Sequence, residues 1–126
     1  MTAWSADELA RIGGASELLI TSRRADGTLR GFVTIWVARE GDDIYVRSAH
    51  GFDNPWFRRA RRSGAGRIVA GGVERDVTLS LVPEDDAVQT RIDDALHAKY
   101  DRYGPVYVGA ITGESTYLGT FRVVPA

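Results

Sequence analysis

The sequence predicts a mainly β domain of the α+β class, a small six-stranded β-barrel carrying two short helices and one longer helix. Three observations predict it. Residues 32–39 and 75–82 alternate side chains with the period of a strand. Asp26-Gly27, Gly41-Asp42-Asp43 and Gly71-Gly72 place turn chemistry between strand candidates. A single long segment, from Asp85 or Asp86 to about Tyr103, carries helical periodicity over several turns.

In chain order, Ser5-Ala6-Asp7-Glu8 has the spacing of a capping box and predicts a short helix to about Ile12, ended by Gly13-Gly14. Residues 17–22 form the first strand, and Ala25-Asp26-Gly27 turns the chain into a hairpin. Along 32–39, Val33, Ile35 and Val37 point one way and Phe32, Thr34 and Trp36 the other. Residues 44–48 return as a third strand of a meander. Pro55 opens a short helix to about Arg62, stopped by Ser63-Gly64. Residues 67–70 make a brief strand, Gly71-Gly72 reverses it, and 75–82 carries Val77, Leu79 and Leu81 on one face. The long helix buries Val88, Ile92, Ala95 and Leu96 and stops before Gly104-Pro105. Residues 107–116 read equally as a loop or an irregular strand, and 117–124 as the last strand. The expected barrel core is Val33, Ile35, Val37, Val77, Leu79, Leu81, Phe121 and Val123, with Val88, Ile92 and Leu96 docking the long helix on it.

The 126 residues suit one domain, 1–126. No apolar run approaches the ~20 residues of a membrane span, and the N-terminus has no signal-peptide pattern, so the expectation is a cytoplasmic protein without a membrane partner. Cysteine is absent, which excludes disulfides and thiolate chemistry, and with only His50 and His97 as histidines no metal site is expected. Charge is uneven under a net −1. Seven arginines between Arg47 and Arg75 face only Asp53 and Glu74, while six acids between Glu84 and Asp101 face only Arg91 and Lys99. The basic stretch suits an anion. The acidic helix and the slightly negative whole weigh against a nucleic-acid partner.

The candidate chemistry sits between Ile44 and Gly72. No serine lies in a strand–turn–helix elbow, so a hydrolase triad is not expected. His50 lies in a loop and has the pKa range for proton transfer, with Tyr45 and Asp53 as further acid–base candidates and Arg47 as an anion-stabilising one. Arg58, Arg61 and Arg62 share one helix face, either as a phosphate clamp or as a solvated surface. Arg24 and Arg30 flank the hairpin turn, where both guanidiniums can converge on one phosphate. Trp36 points out of the barrel and needs a cover: a partner subunit, a helix or a ligand.

The order of a turn from Arg24 to Arg30, a strand, a Gly-Asp turn, a strand ending in Ser48, a loop at Gly51 and then Asn54-Pro55-Trp56-Phe57 resembles the split-barrel flavin-binding superfamily. Within it, the chain is most similar to the deazaflavin-dependent nitroreductase-like proteins and to the bacterial family called domain of unknown function 2255. The likeness runs from about Glu17 to Val124 and is clearest at Ile35-Trp36-Val37, residues 44–48 and residues 67–72. It implies a six-stranded split barrel, a homodimer and a cofactor near the subunit boundary, either FMN or a deazaflavin. It also implies that Arg24, Gly27 and Arg30 hold the cofactor phosphate, and that Arg47, Ser48, Gly51 and Trp56 line the strand end and loop beside the ring. Asp26 stands where those relatives carry a serine, and Arg58-Arg59-Ala60 replaces an expected asparagine.

Three functions remain open on this reading. The first is a flavin- or deazaflavin-binding oxidoreductase acting on a small organic substrate. The second is a split-barrel enzyme with no cofactor, using His50, Asp53, Tyr45 or Arg47. The third is a non-catalytic dimeric module for a small-molecule ligand. Asp26, an anion beside the presumed phosphate, favours the last two.

Overall fold

A computed structural model of the chain describes residues 3–49 and 54–126. Helix α1 (Ala6–Gly14) carries the predicted capping box: the Ser5 hydroxyl accepts from the Glu8 N–H at 3.1 Å, and the Glu8 carboxylate accepts from the Ser5 N–H at 2.9 Å. The strands are β1 (Leu18–Ser22), β2 (Val33–Ile35), β3 (Ala38–Glu40), β4 (Asp43–Arg47), β5 (Ala65–Ala70), β6 (Val73–Leu81) and β7 (Thr120–Pro125). Helix α2 (Pro55–Ser63) follows β4, and α3 (Val88–Tyr100) and α4 (Pro105–Gly109) lie between β6 and β7.

Among the described residues there are seven strands, not six. The expected strand over 32–39 breaks at Trp36-Val37, because its two halves pair with different neighbours. Val33–Ile35 runs antiparallel to β1, whereas Ala38–Glu40 runs antiparallel to β4. The sheet order is β2-β1-β5-β6-β7-β4-β3, so its first and last strands are consecutive in the chain. Three Cα steps separate Ile35 from Ala38, at most about 11 Å. A flat sheet cannot satisfy that limit, and the strands must curl until the two ends meet.

At the joint, the backbone of Val37 belongs to neither ladder, and α3 satisfies it instead. The Tyr100 hydroxyl accepts from the Val37 N–H at 3.1 Å and donates to the Ser16 carbonyl at 3.0 Å, while Lys99 Nζ donates to the Val37 carbonyl at 3.0 Å.

The curl separates two apolar layers. Inside it, Ile12, Leu18, Ile20, Ile44, Val46, Phe57, Ile68, Val77, Leu79, Phe121 and Val123 pack together, with Val37 among them and Val33 and Ile35 at the margin. On the outer face, α3 lays Val88, Ile92, Leu96 and Tyr100 against Ala38 and Tyr45. Alternation along β4 accounts for the division: Ile44 and Val46 face inward, Tyr45 and Arg47 outward. Leu81 departs from the expected core and is 43% exposed. Pairing of β6 with β5 ends at Thr78, so the strand projects past the wall that covers Val77 and Leu79. Trp36 finds its cover on α3.

Two further expectations change. Residues 107–116 are neither strand nor open loop: α4 and a 3-10 segment, Glu114–Gly119, occupy the region, and β7 starts at Thr120 rather than 117. The described residues therefore hold four α-helices rather than three. Two glycines permit close approach. A Cβ on Gly66 would stand 2.0 Å from the Thr21 carbonyl oxygen, and one on Gly71, at φ 56°, 2.2 Å from the Arg11 carbonyl oxygen. No helix among the described residues is long and apolar enough to cross a membrane.

Candidate ligand groove

The joint between β2 and β3, the end of β4, the start of α2 and helix α4 enclose a cleft of about 580 Å³. That is the size of a site for a small organic ligand or cofactor. Its walls are apolar and aromatic: Val33, Ile35 and Trp36 on one side, Trp56 at one end, and Val106, Tyr107 and Ile111 from α4 and the residues after it. Two indoles and a phenol suit a flat ring.

Asn54 sets the position of Trp56. Its Nδ2 donates to the Ser48 hydroxyl at 2.9 Å and to the Ala49 carbonyl at 2.7 Å, clamping the start of α2 to the end of β4. Ser48 is fully buried behind this clamp and is not part of the cleft lining, so the residue expected beside a ring acts here through Asn54.

Arg47 borders the cleft but is only 2% exposed, and all five of its N–H donors are engaged internally. Nε donates to Thr120 Oγ1 at 3.1 Å, Nη2 to the Gln89 carbonyl and side-chain oxygens, both at 2.9 Å, and Nη1 to the Ile111 carbonyl at 3.2 Å and to Asp93. No donor remains for a ligand, which is a correction to the anion-binding role read from the sequence. Asp93 also accepts from the Tyr117 hydroxyl at 2.6 Å and the Gly113 N–H at 3.1 Å. Burial pushes the Asp93 carboxyl up, but the bonds from Tyr117 and Arg47 outweigh it and hold it below its usual range. The same carboxylate, with burial, pushes the Tyr117 phenol up to about 12. This network ties the segment between α4 and β7 to the floor of the cleft.

Val33 and Trp56 also border a second, inner hollow of about 180 Å³, whose lining includes Thr21, Ser22, Arg30, Gly31 and Arg59. Arg30 and Arg59 in turn border an outer hollow of about 400 Å³, completed by Arg23, Arg24, Arg62 and Ser63. The three depressions adjoin in turn, and the groove they outline is aromatic at one end and basic at the other.

Arg30 is pinned to β1: its N–H donates to the Ser22 carbonyl at 3.0 Å and its carbonyl accepts from the Thr21 hydroxyl at 2.7 Å. Its side-chain Nε is buried with no hydrogen-bond partner. Arg24 is less available than the sequence suggested, since its Nη1 donates to the Leu29 carbonyl at 2.8 Å. Gly27 takes the left-handed conformation of the turn, φ 86°. Asp26 folds back on that turn, accepting from the Thr28 N–H at 3.0 Å and its hydroxyl at 2.7 Å. Those bonds hold its carboxyl below the usual range. It is not among the residues lining either hollow.

The groove brings together Arg24, Arg30 and Trp56 of the residues singled out in the sequence. Tyr45 lies elsewhere, buried in the outer layer beside Asp43 and Arg122, where burial pushes its phenol up. His50, Gly51 and Asp53 lie outside the described residues. Arg59 was overlooked. The sequence grouping was Arg58, Arg61 and Arg62, but burial of Phe57 and Ala60 turns α2 so that Arg59 and Arg62 border the hollow. That buried pair, three residues apart, was the available signal.

Solved structures share this fold. A putative pyridoxamine 5'-phosphate oxidase from Listeria innocua matches with a TM-score of 0.64 and 17% identity, over 93% of this chain and 89% of its own. An F420-H2-dependent reductase matches at TM-score 0.61 and 16% identity, over 86% of this chain and 93% of its own. A FAD-binding protein from Mesorhizobium loti matches at TM-score 0.61 and 14% identity, over 98% and 91%. Such low identities establish the split-barrel fold alone. No curated protein matches the sequence. The family model described as "Uncharacterized protein conserved in bacteria (DUF2255)" matches residues 8–123, and the chain belongs to that family.

Proposed function

We propose that this single-domain protein binds a flavin-type cofactor, FMN or a deazaflavin, and serves as an oxidoreductase for a small organic substrate in the cytoplasm. The observation that carries the reading is the groove itself: an aromatic cleft that shares Val33 and Trp56 with a hollow lined by Arg30 and Arg59. A planar ring bearing a phosphate has that polarity. Trp36, Trp56 and Tyr107 would border the ring, and Arg30 with Arg24 and the Gly27 turn would hold the phosphate. A bound flavin supplies hydride transfer; this chain's residues supply orientation and exclusion of water. The neighbours described as F420-H2-dependent and FAD-binding lend support at the level of fold.

The protein is further proposed to be a homodimer. Val106 and Tyr107, on the rim of the cleft, are 80% and 66% exposed, an apolar surface that a second copy would cover. A structural neighbour described as a domain-swapped dimer supports this.

The test is titration of FMN and of a deazaflavin, followed by quenching of tryptophan emission, into wild type and Arg30→Ala. Binding in the micromolar range, weakened by about ten- to a hundredfold in the variant, is expected. Unchanged fluorescence with both ligands, or equal affinity in the variant, overturns the cofactor assignment. A split-barrel enzyme without a cofactor, or a non-catalytic ligand-binding module, then takes its place, and turnover by His50→Ala against wild type is the measurement that separates them.

A further inference from the structure

We propose that the basic end of the groove is a site for a diphosphate, two linked phosphoryl groups, rather than for one phosphate. FMN carries a single phosphate, so this goes beyond the proposed function, pointing to a diphosphate-bearing ligand, and rests on that reading only for which end of the groove faces the ring.

The argument is one of unmatched charge. Five guanidiniums, those of Arg23, Arg24, Arg30, Arg59 and Arg62, border the outer hollow, and among the described residues its lining includes no carboxylate. Two of the five are already engaged. Arg23 Nη2 pairs with Asp76 at 2.9 Å, and Arg24 is bonded to its own turn. The other three have a different character. The guanidiniums of Arg59 and Arg62 form no hydrogen bond or ion pair with any described residue, and Arg30 keeps a buried Nε without a partner. Like charges held together at close range without counter-charge oppose folding, and a bound anion relieves that opposition.

The two hollows share Arg30 and Arg59, and the outer one adds Arg62. Arg30 reaches the confined inner hollow, where the hydroxyl-bearing Thr21 and Ser22 also stand. Arg62 reaches only the wider outer hollow. Arg59, like Arg30, borders both hollows, and it is the one that shares a helix with Arg62. Its spacing from Arg62, three residues along α2, places the two side chains on neighbouring positions of one helix face. A single phosphate in the inner hollow meets Arg30 and Arg59 and leaves Arg62 unpaired. A second phosphoryl group joined to the first lies toward the outer hollow and meets Arg59 and Arg62. Arginine suits this task, because its planar fork binds phosphoryl oxygens in pairs.

The experiment is isothermal titration of inorganic phosphate and of pyrophosphate into wild type, Arg59→Gln/Arg62→Gln, Arg59→Lys/Arg62→Lys and, as a control on the same helix, Arg58→Gln. Circular dichroism melts establish that each variant is folded. Wild type should bind pyrophosphate about tenfold or more tighter than phosphate. The double glutamine variant should lose that preference while its phosphate affinity falls less, the double lysine variant should recover part of it, and Arg58→Gln should keep it. Equal affinity for the two anions in wild type overturns the proposal, as does a preference untouched by the double glutamine variant or lost equally in Arg58→Gln. A parallel titration with FMN separates the two claims. A pyrophosphate preference without ring binding sustains the diphosphate site and removes the cofactor; ring binding without the preference does the reverse.

Discussion

Trp36 lies flat on Tyr100, ring centroids 4.0 Å apart and planes within 1°, while the Tyr100 hydroxyl reaches past it to the backbone of Val37. One side chain of α3 thus covers a face of the half-buried indole and completes the broken strand. Tyr100→Phe should keep the stack and lose the hydroxyl, leaving the Val37 N–H without its partner. The expected cost is about 1–3 kcal/mol in urea unfolding, with Tyr100→Leu costing more because the stack goes as well.

The Arg47–Asp93 pair should show its burial in two ways. Asp93→Asn leaves Arg47 charged in the interior and should destabilise by about 3–5 kcal/mol. The folded Asp93 carboxyl titrates below its unfolded value, so its contribution is present above the unfolded pKa and is lost as pH falls through the folded one. Urea midpoints of wild type should drop between about pH 5 and pH 2, and the drop should be shallower in Asp93→Asn.

Gly66→Ala tests the closeness of β1 and β5. The new methyl would meet the Thr21 carbonyl oxygen at 2.0 Å, and that neighbour is backbone rather than a side chain that can swing away. A loss of about 1–3 kcal/mol or more is expected, read as a lower melting temperature. Because Thr21 also anchors Arg30, affinity for anions should fall in the same variant.

Lys99, the only lysine, should titrate at about 8 rather than near 10.5, because burial disfavours its charged form. Its single Nζ resonance makes an NMR titration direct. Since the folded amine releases its proton first, stability should rise with pH between those two values, and Lys99→Met should remove that rise. A midpoint near 10.5 would show the amine to be solvated.

Much of the fold was legible because local chemistry and tertiary structure agree. The capping box at Ser5, the Gly71-Gly72 reversal and Pro55 at the start of α2 each depend on a few adjacent residues. The break at Trp36-Val37 was not legible: the alternation of 32–39 continues through it, and only pairing with two distant strands reveals the change of neighbour. Leu81 failed for a similar reason, since a periodic pattern does not record where the adjacent strand ends. In the groove, motif order singled out Arg30 and Trp56, and both border the inner hollow. Arg47 misled because a strand-end arginine looks the same in sequence whether it faces a ligand or Asp93. Arg59 depended on the rotation of α2, which the buried Phe57 and Ala60 determine.

The meeting of β2 and β3 also bears on self-association. A sheet recruits foreign strands along its unpaired borders, and long flat borders are the hazard. Here both terminal strands are three residues long, and the backbone between them is already bonded to Tyr100 and Lys99. An incoming strand is offered only a brief run of free amides and carbonyls before the chain turns away. The same short detour that curls the sheet leaves little template for aggregation.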